Sequence, residues 1–204
     1  MVTFSDISKN LRTKRLFIFD FDETVVNLNL NWQELKENLS AIVKERFAIK
    51  MTFTPILEKL EYLKSKLTQE EFTPILSYLI QGEIHALQEH STIQTVGFTL
   101  LKEIYENIVK KSEGKCHIAL LSNNFTKTIT LGAKQYGIDS YISYYVGRDL
   151  VKNIKPDVEG IKKIHEQFSH IKKSEIVYFG DSEEYDKIVA TSYGIEFYLI
   201  KHPE

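Results

Sequence analysis

Residues 15–25 read RLFIFDFDETV, an apolar run that ends abruptly in two aspartates and decides the fold. The run Arg15–Asp20 is typical of a strand buried on both faces, and such strands occur in parallel sheets. Asp20 and Asp22 follow at its carboxyl end. In open α/β sheets, ligands bind outside the carboxyl ends of the strands. The stretch therefore predicts the first strand of a parallel sheet with a binding crevice at its end.

Other apolar runs of the same kind follow along the chain. Three are strong and one is weaker; they cover Lys115–Ser122, Glu175–Asp181, Glu196–Lys201 and, as the weaker run, Tyr141–Val146. Helical patterns lie between them over residues 125–136, 156–168 and 183–193. Strands that alternate with helices predict an α/β fold in which helices cover a parallel sheet.

The segment 28–92 differs from the rest because it contains no convincing strand. Apolar residues recur at helical spacing over residues 32–47, after Asn31 as a plausible N-cap. We therefore predict that residues 28–92 form an all-helical insertion after the first strand.

The pentapeptide FTPIL occurs twice in this insertion, at Phe53–Leu57 and Phe72–Leu76. Threonine before proline is a helix-start signal, so the repeat predicts two similar helix beginnings. Thr68 and Glu71 form a competing capping box, which would start the second helix earlier and leave Pro74 inside it. The sequence leaves both alternatives open.

The composition argues against several classes of protein. The chain has 26 Lys and Arg against 28 Asp and Glu, a formal charge of −2, so it lacks the basic surplus of a nucleic-acid-binding protein. Its one cysteine, Cys116, permits no internal disulfide and favours a reducing compartment. The apolar runs are too short to span a bilayer, and the N-terminus has no apolar signal core. We expect a cytoplasmic protein with no nucleic-acid partner and no membrane partner.

A second group of acids follows the apolar run at 175–181. Residues 180–186 read GDSEEYD, and the ends of parallel strands can bring such a group next to Asp20 and Asp22. Oxygen-only ligands of this kind suit Mg²⁺, which joins carboxylates to phosphate. The alternative is an acidic helix start, because acids stabilise a helix N-terminus. That alternative leaves the matching acids after the first strand unexplained.

Two further segments are candidates for binding a phosphate group. Ser122, Asn123 and Asn124 follow a strand and precede a helix, where a hydroxyl and backbone N–H groups can hold an anion. The same residue types are also preferred helix caps. Lys155, directly before Pro156 at a predicted helix start, slightly opposes the helix dipole and so indicates an anionic partner.

These segments form a series of four motifs along the chain: DFDETV at 20–25, LLSNN at 120–124, IKP at 154–156 and GDSEEYD at 180–186. In this order they resemble the signature of the haloacid dehalogenase-like (HAD) hydrolase superfamily. The GRD segment at 147–149 further resembles the phosphoglycolate-phosphatase-like branch. The resemblance covers the chain from about Arg15 to Leu199.

The resemblance also implies a fold and a domain division. The expected catalytic core is a Rossmann-like, doubly wound parallel sheet formed by residues 1–27 and 93–204. The helical segment 28–92 takes the place of the cap called C1. Trp32, Gln81, Glu83 and His85 are candidate substrate contacts in that cap, although apolar residues at helical spacing such as Trp32 more often pack between helices.

The resemblance implies catalytic roles for three residues. Asp20 takes the place of the nucleophile, which forms an aspartyl-phosphate, and Asp22 takes the place of the general acid and base. Lys155 would offset the charge on the nucleophile and the phosphate. The residues expected to bind the substrate phosphate or to hold its loop are Thr24, Ser122 and Asn123.

The resemblance also implies that Mg²⁺ is the cofactor. Its expected ligands are Asp20, the carbonyl of Asp22, Asp181 and Asp186. The last two are five residues apart, whereas the commoner spacing in the family is four, so Glu184 is an alternative ligand. A second departure is Glu23, which stands where many relatives have glycine.

The predicted function is a magnesium-dependent phosphatase that acts on a small phosphorylated metabolite. One alternative is a phosphosugar mutase or phosphotransferase of the same superfamily. Another is a protein without enzymatic activity, either a receiver-like signalling domain or a phospho-ligand-binding protein. The sequence determines neither the substrate nor the oligomeric state.

Overall fold

The computed structural model describes residues 3–202, and the chain divides into two compact units. One unit runs up to Leu28 and continues from Ser91, and the other is Asn29–His90. The helical unit therefore begins one residue later and ends two residues earlier than the predicted insertion 28–92. That this unit acts as a cap stays a prediction.

The first unit contains a five-stranded parallel sheet with the strand order β5-β4-β1-β6-β7. A separate antiparallel pair is formed by β2 and β3. In chain order the strands are β1 Leu16–Phe19, β2 Val26–Asn27, β3 Thr92–Ile93, β4 His117–Leu121, β5 Tyr144–Val146, β6 Ile176–Gly180 and β7 Glu196–Leu199. Because the strand order runs outward from β1 in both directions, the predicted doubly wound α/β fold is confirmed.

One helix of this unit precedes its first strand, and the others connect its strands. In chain order they are α1 Phe4–Leu11, α5 Thr95–Ile104, α6 Thr126–Gln135, α7 Glu159–Gln167 and α8 Ile188–Tyr193, while α2 to α4 belong to the helical unit. Helix α1 lies outside the sequence predictions; a capping box of Thr3 and Asp6 starts it. Among residues 3–202, no helix combines the length and the apolar character that a membrane span requires.

The central strand is buried on both of its faces, as its apolar run predicts. Leu16 and Ile18 belong to the same hydrophobic cluster as Ile161 of α7 and Val189 of α8. The alternate residue Phe17 points to the opposite face of the sheet and is also fully buried. With both faces covered, the carboxyl edge of the sheet is the place where polar groups can gather.

Two helices differ from their predictions, one in its first residue and the other in its first turn. The helix expected from Pro156 begins instead at Glu159, because residues 154–157 form a turn in which the Asp157 N–H donates to the Ile154 carbonyl. The segment 183–193 begins with a π-helical turn, Glu183–Lys187, before α8.

The helical unit consists of three helices: α2 Trp32–Phe47, α3 Ile56–Lys66 and α4 Gln69–Glu89. Asn31 caps α2, as predicted, by accepting the Glu34 N–H at 3.2 Å. Helix α3 begins directly after Pro55. Helix α4 begins with the capping box, in which Thr68 and Glu71 satisfy each other's backbone N–H groups, and Pro74 lies inside the helix. The two FTPIL segments therefore do not start similar helices.

Candidate active site

The strand register brings three of the four sequence motifs to one edge of the sheet. Phe19 at the end of β1 pairs with Leu120 of β4 and with Phe179 of β6. The residues that follow these strand ends, Asp20 and Asp181 among them, therefore lie at the same carboxyl edge. Segments that are far apart in sequence meet there because parallel strands end together.

A buried lysine joins two carboxylates at this edge. Lys155 Nζ lies 2.7 Å from Asp20 Oδ1 and 2.7 Å from Asp186 Oδ1. The exposed fraction is 5% for Lys155, 6% for Asp20 and 0% for Asp186, so solvent screens these pairs very little. Asp20 is further oriented by the Phe21 N–H, which donates to Oδ1 at 2.7 Å.

The ionisation of these groups is strongly perturbed. Burial raises the pKa of Asp20 well above its ordinary value, and the Asp186 carboxylate raises it further, while Lys155 opposes the change. Burial acts to lower the pKa of Lys155, but the Asp20 and Asp186 carboxylates outweigh it, so that pKa lies above its ordinary value. Perturbations of this size in one place are typical of a functional site.

Three carboxylates form a group that could hold a metal ion. One carboxylate oxygen from each of Asp20, Asp181 and Asp186 lies within 4.8 Å of the other two. Burial raises the pKa of Asp181, while the Thr24 hydroxyl, which donates to Asp181 Oδ1 at 2.8 Å, opposes that rise. When ionised, the three carboxylates exceed the single positive charge of Lys155 by two, and their donor atoms are all oxygens. The residues therefore fit a hard divalent cation such as Mg²⁺.

Both carboxylate oxygens of Asp186 accept hydrogen bonds from protein donors. Its Oδ1 accepts hydrogen bonds from Lys155 Nζ at 2.7 Å and from the Tyr178 hydroxyl at 3.0 Å, and its Oδ2 accepts from the Ser182 N–H at 3.1 Å. Burial raises the pKa of Tyr178 well above its ordinary value, so its hydroxyl stays protonated and donates. Asp186 thus supports Lys155 as well as belonging to the acidic group.

The π-helical turn explains the unusual spacing of the last motif. Both the Asp186 N–H and the Lys187 N–H donate to the Ser182 carbonyl, so one extra residue is accommodated within the turn. Glu184 is exposed, and among residues 3–202 the acidic group contains Asp186 but not Glu184. Gly180 is required beside this turn, because a Cβ atom there would lie 2.4 Å from the Asp186 carboxylate carbon.

The loop after β1, which carries Asp22, is a tight turn. The Val25 and Val26 N–H groups both donate to the Phe21 carbonyl. Glu23 has φ 61°, a left-handed conformation that favours glycine. The Asp22 carboxylate is half-buried and accepts the Leu28 N–H at 2.9 Å. Its predicted contribution to the metal site is through the carbonyl, and that stays a prediction.

The residues predicted to bind phosphate have well-defined contacts of their own. Ser122 is buried, and its hydroxyl donates to Asn124 Oδ1 at 2.9 Å and accepts the Asn124 N–H at 3.2 Å. The Thr24 hydroxyl donates to Asp181 Oδ1, and its role at the phosphate stays a prediction. Asn124 belongs to the candidate phosphate-binding segment, but the sequence assigned no role to its side chain, which here holds the Ser122 hydroxyl.

The side chain of Asn123 forms a second link between motifs. Its Nδ2 donates to the Lys155 carbonyl at 3.3 Å, and its Oδ1 accepts the Lys155 N–H at 3.1 Å. Arg148 supports the same loop from the other side, because its Nε donates to the Asn123 carbonyl and its backbone N–H donates to the Asn124 carbonyl at 2.9 Å. The Arg148 guanidinium carbon also lies 4.9 Å from the centre of the Phe125 ring.

The candidate contacts in the helical unit have different environments. Glu83 is buried, Trp32 is half-buried, and Gln81 and His85 are exposed. Their roles as substrate contacts stay predictions.

The fold and this site together define a class of protein, an α/β protein whose central strand ends in an aspartate paired with a buried lysine. A family model described as haloacid dehalogenase-like hydrolase matches residues 17–200. The chain belongs to the haloacid dehalogenase-like hydrolase family and is an enzyme of that type. The family membership predicted from the four motifs is confirmed.

Solved structures from several bacteria share the fold. A predicted phosphoglycolate phosphatase from Haemophilus somnus 129PT is 21% identical, with a TM-score of 0.61, and the match covers 93% of this chain and 86% of that one. A candidate β-phosphoglucomutase from Thermotoga maritima is 18% identical, with a TM-score of 0.59 and coverage of 93% and 87%. The candidate HAD-hydrolase YfnB from Bacillus subtilis, bound to magnesium, is 15% identical, with a TM-score of 0.57 and coverage of 92% and 88%. Among curated proteins, none matches this chain.

Proposed function

We propose that the protein is a magnesium-dependent phosphatase that hydrolyses a small phosphomonoester through an aspartyl-phosphate on Asp20. The observation that carries the proposal is the buried contact of Lys155 Nζ with Asp20 Oδ1 and Asp186 Oδ1, each at 2.7 Å. A carboxylate that attacks a phosphate dianion is strongly repelled unless cations offset the charge. Lys155 supplies one such cation at the nucleophile itself.

In the first step, an oxygen of Asp20 forms a bond to phosphorus while the bond from phosphorus to the leaving oxygen breaks. Asp22 donates a proton to the leaving oxygen, so the product departs as an alcohol. The Leu28 N–H, which donates to Asp22 Oδ1 at 2.9 Å, orients this carboxyl group.

In the second step, a water molecule attacks the phosphorus of the aspartyl-phosphate and gives its proton to Asp22. The bond between Asp20 and phosphorus breaks, inorganic phosphate leaves, and both side chains return to their starting states. The same group thus acts first as a general acid and then as a general base.

We assign the cofactor site to Asp20, the Asp22 carbonyl and Asp181, with Asp186 as a supporting residue. The oxygen-only acidic group of Asp20, Asp181 and Asp186, and the magnesium bound to the similarly folded YfnB, support this assignment. When bound, Mg²⁺ neutralises negative charge on the nucleophile and the phosphate. Thr24 holds the Asp181 carboxylate in place.

The substrate phosphate is assigned to the loop after β4. Within residues 3–202 the Asn123 N–H has no acceptor, so it is available to a phosphate oxygen beside the Ser122 hydroxyl. Thr24 holds the loop after β1. A backbone N–H ahead of a helix is a common anion-binding element, and α6 begins at Thr126.

We place the protein in the phosphoglycolate-phosphatase-like branch, with the helical unit as a C1-type cap. The GRD segment at 147–149 and the shared fold of the Haemophilus somnus protein support this placement. The expected substrate is a small phosphorylated metabolite. The single cysteine, Cys116, is unpaired, which accords with a cytoplasmic enzyme.

The proposal is tested by measuring phosphate release from p-nitrophenyl phosphate and a panel of small phosphomonoesters, with Mg²⁺ and with EDTA. Turnover should require Mg²⁺, and Asp20→Asn should lower it by roughly a thousandfold or more because the nucleophile is lost. Glu184→Gln, which changes an exposed acid of the same motif, serves as the control and should retain turnover.

Acid-quenched protein should also carry labelled phosphate on Asp20 after mixing with a labelled substrate. Absence of turnover with the whole panel, or full turnover by Asp20→Asn, would refute the proposal. Labelled phosphate that appears on a second hydroxyl of a sugar phosphate, instead of in solution, would identify a phosphosugar mutase. Stable labelling without turnover would identify a receiver-like domain.

A further inference from the structure

Tyr178 lies in the middle of β6 and is fully buried. Its hydroxyl donates to Asp186 Oδ1 at 3.0 Å. The same oxygen accepts a hydrogen bond from Lys155 Nζ at 2.7 Å. The buried Tyr178 hydroxyl therefore contacts the same Asp186 carboxylate that accepts from Lys155 in the candidate active site.

The contacts of Asp186 leave its carboxylate little freedom. The Ser182 N–H fixes Oδ2 at 3.1 Å, and Tyr178 and Lys155 share Oδ1. If the Tyr178 hydroxyl is removed, Lys155 becomes the only side-chain donor to Asp186 among the described residues, and the carboxylate can turn about its remaining contacts. The Lys155 ammonium, which is bonded to the same oxygen, would then lose a fixed partner.

We propose that Tyr178 is a positioning residue, whose hydroxyl fixes Asp186 and through it holds the Lys155 ammonium against Asp20. This inference rests on the proposed function, because the lysine is assigned there to offset charge on the nucleophile. It goes further by giving a role to a strand residue that belongs to none of the four motifs. No pattern in the sequence points to this role, because a tyrosine within a buried strand is common.

The main alternative is that Tyr178 only contributes packing and one satisfied hydrogen bond to the core. Tyr193 offers a matched control for that contribution. It packs against the same hydrophobic cluster that contains Tyr178, and its hydroxyl forms a 2.7 Å hydrogen bond with His165 Nδ1 instead of with a carboxylate. Tyr178→Phe and Tyr193→Phe each remove one hydroxyl and keep the ring.

The first measurement does not depend on turnover. In ¹⁵N-labelled, metal-free protein, NMR can follow the exchange of the Lys155 ammonium protons with water. We expect this exchange to be slow in the unmodified protein, several-fold faster in Tyr178→Phe, and unchanged in Tyr193→Phe. Equal exchange rates in Tyr178→Phe and the unmodified protein would overturn the proposal, whatever the enzymatic activity proves to be.

The second measurement is a double-mutant cycle on phosphatase activity. We expect Tyr178→Phe to lower kcat by about tenfold, with KM changed by less than about twofold, because one hydrogen bond to a charged group is lost. In a Lys155→Met background, Tyr178→Phe should change kcat by less than about twofold, because the group that it positions is gone. Tyr193→Phe should leave kcat unchanged.

The outcomes separate this inference from the proposed function. The positioning role would be refuted if Tyr178→Phe lowered kcat equally in the unmodified protein and in Lys155→Met. Equal losses of kcat from Tyr178→Phe and Tyr193→Phe would also refute it. Absence of turnover in the unmodified protein would instead remove the proposed function, and the ammonium exchange would still decide whether Tyr178 holds Lys155.

Discussion

At the scale of single residues, Asn123 links two motifs that are more than thirty residues apart in the chain. Its side-chain amide donates to the Lys155 carbonyl and accepts the Lys155 N–H. Asn123 thus binds the backbone of Lys155, whereas Asp186 forms an ion pair with its ammonium group. The lysine is therefore held at both ends.

Replacing Asn123 with alanine should remove this backbone contact and keep the backbone N–H that is assigned to phosphate. We expect Asn123→Ala to lower kcat about tenfold and the free energy of unfolding by about 1–3 kcal/mol, because a buried N–H and C=O lose their partners. Steady-state kinetics and urea unfolding measure the two effects. Asn107→Ala removes one exposed hydrogen bond to the Glu103 carbonyl and should change neither quantity appreciably.

Thr24 is the second residue whose contact makes a definite prediction. Its buried hydroxyl donates to Asp181 Oδ1 at 2.8 Å, which orients a proposed metal ligand. Thr24→Val keeps the shape and removes the donor, so the Mg²⁺ concentration that gives half-maximal activity should rise about tenfold. Thr130→Val, which removes a hydroxyl bonded within α6, is the control. An unchanged Mg²⁺ dependence in Thr24→Val would contradict the assignment of Asp181.

At the scale of secondary-structure elements, the π-helical turn Glu183–Lys187 is the feature that adapts the last motif to its extra residue. Single-residue insertions into helices are commonly absorbed as π-helical turns near functional sites. The turn keeps Asp186 buried on Lys155 and leaves Glu184 exposed.

Deleting Glu184 should convert this turn into an α-helical turn with the commoner four-residue spacing. We expect Asp186 to keep its contacts, so kcat should stay within about threefold of the unmodified protein and the melting temperature should not fall. Activity assays and thermal unfolding measure both. Deleting Lys163 in the regular helix α7 is the control, because it rotates the buried Ile164 off the core and should destabilise the protein. A folded but inactive Glu184 deletion would show that the π-helical turn itself is required.

At the scale of the whole molecule, the pH dependence of stability should include a contribution from His117 at the amino end of β4. Burial lowers the pKa of His117, and the positive charges of His170 and Arg15 lower it further. Because the folded-state pKa lies below the unfolded value of about 6.5, the unfolded chain binds the proton first as the pH falls. The free energy of unfolding therefore keeps the whole contribution of His117 above the unfolded-state pKa, and it decreases as the pH falls below that pKa.

This pH effect can be measured with urea unfolding of the unmodified protein and of His117→Gln between pH 7.5 and pH 5.5. The unmodified protein should lose more stability over this interval than the variant, because the variant has no imidazole to protonate. Equal losses in the two proteins would show that other groups carry the pH dependence.

Much of the whole-molecule architecture was predictable from local patterns. The apolar runs within residues 15–20 and 115–122 became neighbouring parallel strands, because continuous apolar runs are typical of strands that are buried on both faces. The order of the four motifs identified the family, which the family model over residues 17–200 confirms. The helix beginnings were less predictable: the sequence left the FTPIL repeat and the Thr68–Glu71 capping box as alternatives, and the structure selects the capping box.

By itself, the amino-acid sequence determined the fold class and the family, and it predicted that acids from the first and last motifs lie at the carboxyl edge of the sheet. It could do so because hydrophobic periodicity and motif order are local properties of the chain. Only the tertiary structure decided that Asp186, rather than Glu184, contacts Lys155. It also decided that Asn123 accepts a hydrogen bond from the Lys155 backbone and that Tyr178 donates one to Asp186. These contacts join side chains from separate segments, so they exist only once strand register and a π-helical turn have set the distances between them.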